Sequence, residues 1–219
     1  MKAPRSRPSR APRYSAPMSS LWQRPALDLL QAAASGAPTP GGGSTAALTG
    51  AFGAALLEMA LQITLRKEGG ELRDTLTTLS GLRERLQALA DEDVRAFGAY
   101  VRATRLPEGD GREETLGEAG EASMRVPLDL ARTLVEALEV APRLVPQVHA
   151  EVTSDVGAGA AILEGALHAA LLTVEINLRH IPEEERAGLE AERDRLRERG
   201  ATRAAETLRL TRERIRDRG

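Results

Sequence analysis

Two stretches of the chain, residues 46–65 and 156–178, are apolar almost from end to end and are built mainly from Ala, Gly and Leu. Segments of that length must be covered along their whole surface, either by lipid or by neighbouring helices. The first carries Glu58 and Gln62, and the second carries Glu164, His168, Glu175 and Asn177. Polar and ionisable groups at that density are costly in a bilayer, so two central helices of a bundle are expected and no membrane partner. The rest of the composition agrees. Alanine fills 36 of 219 positions while Val and Ile together fill 15, a balance that suits helices and starves a β-sheet. Aromatic residues make up only 2% of the chain, so helices must approach through small side chains rather than pack on large rings. The expected fold is all-α, a multihelical bundle with two buried central helices rich in small residues.

Glycine and proline divide the chain into segments. A short helix is expected over 25–34, a long one over 44–66 stopped by Gly69-Gly70, and another over 71–106 ended by Pro107. The next, over 113–138, should kink or break at Pro127, with a short helix bracketed by Pro142 and Pro146. Ser154-Asp155 can cap a helix running to His180, and 183–218 is one helix or two, interrupted at Gly200. In its last part Ala204, Leu208, Thr211 and Ile215 form a narrow apolar stripe. Residues 1–20 read as a basic, disordered tail, or as a start assigned too early with Met18 as the true one; residues 21–219 read as a single domain. The five cations within 1–17, taken from a net charge of −2, leave a body at −7, which gives no pull towards nucleic acid. Absence of cysteine excludes disulfides, thiolate metal sites and a Cys nucleophile.

Helical geometry sorts the polar residues. At about 100° per residue, Ser44, Ala51, Ala55, Glu58 and Gln62 share one stripe about 27 Å long. It suits either a groove for a long flat ligand or a helix crossing in which Glu58 bonds a neighbour. Asp93, Phe97, Tyr100 and Thr104 share another face, with Asp91 about 160° away and directed to solvent or to capping a neighbour. A carboxylate beside rings can hold its proton towards neutral pH and act as an acid–base group; an ordinary core Phe next to a solvated acid fits the same pattern. Asp155, Ile162, Ala166, Thr173 and Asn177 line one side of a later helix, and Glu164, His168 and Glu175 line another. With three histidines in all and no Glu-x-x-His pair, the second set is expected to be hydrogen-bonded structure and no metal site is expected. Gly41-Gly42-Gly43 directly before a helix can turn backbone N–H groups and the positive end of the helix dipole towards an anion, though a flexible connection would use the same residues. No Lys follows the glycines and no strand precedes them, which excludes a P-loop or a dinucleotide fingerprint.

Pro38-Thr39-Pro40-Gly41-Gly42-Gly43-Ser44 resembles the P-x-P-G-G-G-S segment of the formiminotransferase-cyclodeaminase family, in its cyclodeaminase domain; the family also includes free-standing methenyltetrahydrofolate cyclohydrolases. Asp91-Glu92-Asp93-Val94-Arg95-Ala96-Phe97, Val126-Pro127-Leu128, Ser154-Asp155 and Val174-Glu175-Ile176-Asn177-Leu178 resemble its further motifs, in the same order. Gln62, Glu151 and Thr173 depart from polar residues of that pattern, and no formiminotransferase half is present. The resemblance implies a dimeric helical bundle acting on a reduced folate in the cytoplasm. Its activity would be either formiminotetrahydrofolate cyclodeaminase or methenyltetrahydrofolate cyclohydrolase, with no cofactor beyond the tetrahydrofolate itself. Asp93, Asp155 and Glu58 are the candidate acid–base groups. Pro40, Gly41, Gly42, Gly43, Ser44, Gln62, Phe97, Tyr100, Ser154 and Asn177 are the candidate substrate contacts. The alternatives are a relative with a different substrate and a non-catalytic dimeric scaffold, which would bind no folate.

Overall fold

A computed structural model describes residues 20–68, 72–109 and 111–217. The expected tail therefore lies almost wholly outside the described residues. Six α-helices carry the fold: α1 (Ala26–Ala33), α2 (Gly42–Glu68), α3 (Arg73–Thr104), α4 (Arg112–Leu144), α5 (Thr153–Asn177) and α6 (Glu183–Arg216). Single 3₁₀ turns at Leu21–Gln23, Ala150–Val152 and Leu178–His180 join them, and no strand occurs among the described residues.

The two apolar segments lie side by side. Helix α2 packs on α5 and α3, and α4 closes the bundle against α3, α5 and α6. Both apolar helices are long enough to cross a membrane by length and composition, and both contribute buried residues to the core. Their backbones come closest at a pair of glycines. A Cβ on Gly53 would stand 3.0 Å from the Gly159 carbonyl, and one on Gly159 would stand 2.8 Å from the Gly53 carbonyl. The two backbones therefore cross at touching distance. The stripe from Ser44 to Gln62 is no groove, because it runs from full burial at Ser44 and Ala51 to exposure at Gln62. Glu58 lies where α2 meets α3, accepting from Arg83 Nε at 2.6 Å, Ser80 Oγ at 3.0 Å and Gln62 Nε2 at 3.2 Å.

Three expected breaks do not occur. Helix α4 runs unbroken through Pro127 and Pro142, so no separate short helix follows Pro142. A proline at 127 deprives the Ser123 carbonyl of its helical donor, and the Asn177 side chain supplies one instead, with Nδ2 2.7 Å from that oxygen. Helix α6 is continuous through Gly200, which is buried. A Cβ there would stand 2.1 Å from Leu167 Cδ2, so this glycine is a packing residue and not a breaker. The buried stripe of α6 is Leu196, Gly200, Ala204, Thr207 and Thr211; Ile215 faces solvent, which turns the stripe away from the expected register. Helix α5 begins at Thr153 after Val152 with no side-chain cap, so Ser154-Asp155 lie inside the first turn instead of capping it.

Candidate active site

The Gly-rich turn, the second half of α3, the first half of α4, the end of α5 and the start of α6 line a cavity of ≈ 890 Å³. That size falls within the usual range for small-molecule sites. Apart from Asp93, Ser123, Asn177 and a few neighbours, its inner walls are apolar, with Val126, Pro127 and Ile176 facing Ala96 and Phe97. Glu113, Glu121 and Glu185 are exposed and stand at its rim.

Asp93 is the acid within this cavity, inside the three rim glutamates, and its position depends on the glycines. A Cβ on Gly43 would lie 2.2 Å from Asp93 Oδ1 and 2.8 Å from its Cγ, so only a glycine lets the carboxyl approach the first turn of α2. The Ser44 backbone N–H donates to that carboxyl, and the single proton of the Ser44 hydroxyl is within reach both of the carboxyl and of the Gly41 carbonyl at 3.3 Å. The same hydroxyl accepts from the Gly41 N–H at 3.0 Å. Asp93, carried by α3, thus serves as the cap of α2. Burial is the larger influence and pushes its carboxyl above the ordinary carboxylate value; the two Ser44 hydrogen bonds pull the other way.

The glycines do not work as backbone hinges. Among the described residues only Gly109 and Gly111 have positive φ, so Gly41, Gly42 and Gly43 are not required for a left-handed turn. Their value is closeness. The anion at this helix end is in part the protein's own Asp93, and the N–H groups of Gly42 and Gly43 are left without a protein partner among the described residues.

The other candidates divide cleanly. Gly41, Gly42, Gly43, Asp93, Phe97, Tyr100 and Asn177 line the cavity together. Ser44 is fully buried behind them, and Pro40 is buried in the same turn, where it lines a shallower groove on the α2–α5 side. Glu58, Gln62, Ser154 and Asp155 do not line the cavity. Glu58 is held by Arg83, Gln62 is exposed beside it, and Ser154 and Asp155 sit at the opposite end of α5 from Asn177. Asp91 points away from the cavity, its Oδ1 accepting from the Leu21 N–H at 2.8 Å. Glu151 is exposed and pairs with Lys67. Glu175 pairs with Arg197 and Arg193 of α6 and not with Glu164 or His168.

The chain as a whole has relatives among known proteins. A family model described as formiminotransferase-cyclodeaminase matches residues 25–195, most of the chain. The chain belongs to the formiminotransferase-cyclodeaminase family. A protein of Methylorubrum extorquens named methenyltetrahydrofolate cyclohydrolase is 34% identical over 158 residues, which cover 68% of this chain and 76% of that protein. The formimidoyltransferase-cyclodeaminase of Sus scrofa is 30% identical over 178 residues, 77% of this chain but only 33% of the pig protein. The solved structure of formiminotetrahydrofolate cyclodeaminase from Thermotoga maritima shares the fold, with a TM-score of 0.80 and 22% identity over 89% of this chain and 98% of that one. Within this family fold, sequence reasoning missed the α4 wall of the cavity, Ser123 above all. One signal was available: a proline inside a helix frees a carbonyl, and a polar residue must be found to answer it.

Proposed function

We propose that this protein is a folate one-carbon enzyme, a methenyltetrahydrofolate cyclohydrolase in which Asp93 moves the protons. The observation that carries this reading is the Asp93 carboxyl, drawn into an apolar-walled cavity by the Gly43 gap and held with its pKa raised. An acid poised nearer neutrality can both accept and return a proton at physiological pH. In hydrolysis, water attacks the carbon bridging N5 and N10 of 5,10-methenyltetrahydrofolate while the Asp93 carboxylate takes a proton from it. The tetrahedral intermediate then opens as its carbon–N5 bond breaks. Asp93 returns the proton to N5, and the remaining hydroxyl proton leaves to solvent, giving the 10-formyl product. Phe97 and Tyr100 supply flat faces for the pterin or aryl ring and keep bulk water from the acid.

A second reading is favoured by the 178-residue match to the pig protein. In it N10 attacks the formimino carbon of 5-formiminotetrahydrofolate, Asp93 takes the N10 proton and delivers it to the departing amino group, and ammonia leaves. The same residue serves both reactions because both pass through one five-membered ring carrying OH or NH2. Neither needs a cofactor beyond the folate.

We further propose a cytoplasmic homodimer, assembled without membrane or nucleic acid. Phe52 and Met59 on α2 and Leu172 and Ile176 on α5 are exposed apolar side chains on the two adjacent central helices, and a second copy would cover them. The test of function follows 5,10-methenyltetrahydrofolate by its absorbance. Enzyme-dependent decay supports the cyclohydrolase, and enzyme-dependent appearance from 5-formiminotetrahydrofolate supports the cyclodeaminase. Absence of both, with no binding of reduced folate, would sink the reading in favour of a scaffold.

A further inference from the structure

The Ser123 hydroxyl oxygen is enclosed by protein atoms and has no hydrogen-bond partner, although its residue lines the cavity. A buried hydroxyl left unpaired loses its hydration without a bond in return, so such a group in a cavity wall points to a partner that arrives with the ligand. Its setting is fixed from behind. Pro127 frees the Ser123 carbonyl, and Asn177 Nδ2 donates to it at 2.7 Å, which ties α5 to α4 at the wall of the site. Because a carbonyl only accepts, the Asn177 amide has one orientation here: its nitrogen faces Ser123, and its oxygen is the end left to accept from elsewhere. The wall therefore joins a hydroxyl that can donate to an amide oxygen that can only accept, side by side in an otherwise apolar surface formed by Val126, Pro127 and Ile176.

We infer that Ser123, with Asn177 beside it, recognises the amide edge of the pterin ring. Resting on the folate reading above, the inference adds which wall of the cavity takes which part of the substrate. A 4-oxopterin presents an acceptor at O4 next to a donor at N3, the complement of a donating hydroxyl and an accepting amide oxygen. Serine has a single χ1, so turning its hydroxyl from an unsatisfied well onto the ligand costs no existing bond. The pterin faces then lie against the apolar wall of α4, and the one-carbon bridge lies towards Asp93 on α3.

The test compares wild type with Ser123→Ala, using 5,10-methenyltetrahydrofolate as substrate and two non-reacting inhibitors, folic acid and its 4-amino counterpart aminopterin. The 4-amino group replaces the acceptor at position 4 by a donor. Wild type should bind the 4-oxo compound more tightly. Ser123→Ala should raise KM for substrate by about 3- to 10-fold, the worth of one neutral hydrogen bond. It should also narrow the 4-oxo preference by a similar factor, with kcat changed less than KM. Its melting temperature should be unchanged or higher, since the hydroxyl removed has no partner in the free protein. An unchanged KM and an unchanged 4-oxo preference in an active enzyme would overturn the inference while leaving the folate reading intact. A melting temperature lower by several degrees would also overturn it by making Ser123 a structural residue. A wild type that neither turns over nor binds folate would remove both.

Discussion

Asp93 owes its chemistry to a residue that has no side chain. The carboxyl occupies the space that a Cβ on Gly43 would fill, whereas a Cβ on Gly42 would meet nothing nearer than Thr173 Oγ1 at 3.9 Å. Gly43→Ala should therefore push the carboxyl off the first turn of α2 and lower kcat at least tenfold, while Gly42→Ala stays near wild type. Equal losses in the two kinetic measurements would show that the whole turn, not the Gly43 gap, sets the acid. The glycine run was legible as a site, but which glycine mattered was not, because that depends on a carboxyl some fifty residues away. The same acid links pH to stability. Its folded pKa lies above the ordinary 3.8, so between the two values the native state holds more proton than the unfolded chain. Stability from this group is thus lost as pH rises through that window. Melting curves of Asp93→Asn against wild type should diverge in the variant's favour as pH rises from acid to neutral; a difference independent of pH would mean that Asp93 is not held above its ordinary value.

At the scale of helices, the sequence spoke clearly wherever a breaker had no tertiary answer. Pro182 marks a helix start as expected, whereas α2 begins at Gly42, two residues ahead of the expected Ser44, so Gly42 and Gly43 lie in its first turn. Pro127 and Gly200 misled because their costs are answered from other helices, by Asn177 in one case and by the close seat of Leu167 in the other. The pairing of Asp93 with Phe97 and Tyr100 could be read from a 3.6-residue period alone, because all three lie on one helix. Ser123 and the Arg83 partner of Glu58 could not, since each joins different helices. The Gly53–Gly159 crossing belongs to the same class. Alanine is the better helix former by about 1 kcal/mol, yet at Gly159 its Cβ would press on a backbone carbonyl that cannot step aside, costing roughly 1–3 kcal/mol. Gly159→Ala should lower the melting temperature by several degrees. Gly188→Ala, exposed on α6 with nothing within 4 Å, should raise it slightly. Like-signed shifts at the two sites would show that propensity, not the crossing, governs both.

For the whole molecule, the two central helices have two duties: one flank of each forms the core, and the other leaves Phe52, Leu172 and Ile176 in solvent. If a second copy covers that flank, Leu172→Glu should shift sedimentation from dimer to monomer with helicity retained. A monomeric wild type would place the apolar flank against some other partner. Ile176 is common to that flank and to the cavity wall, so assembly and site share one helix face. What joins sequence, fold and chemistry throughout is the single carboxyl at the start of α2. The most direct measurement is therefore kcat for 5,10-methenyltetrahydrofolate in Asp93→Asn and Asp91→Asn, with circular dichroism confirming that both fold. Asp93→Asn should lose roughly 10²–10⁴ in kcat, the worth of one positioned acid–base group. Asp91→Asn, whose amide oxygen can still accept from the Leu21 N–H, should stay within a few-fold of wild type. A folded Asp93→Asn that turns over at the wild-type rate would contradict the account at its centre.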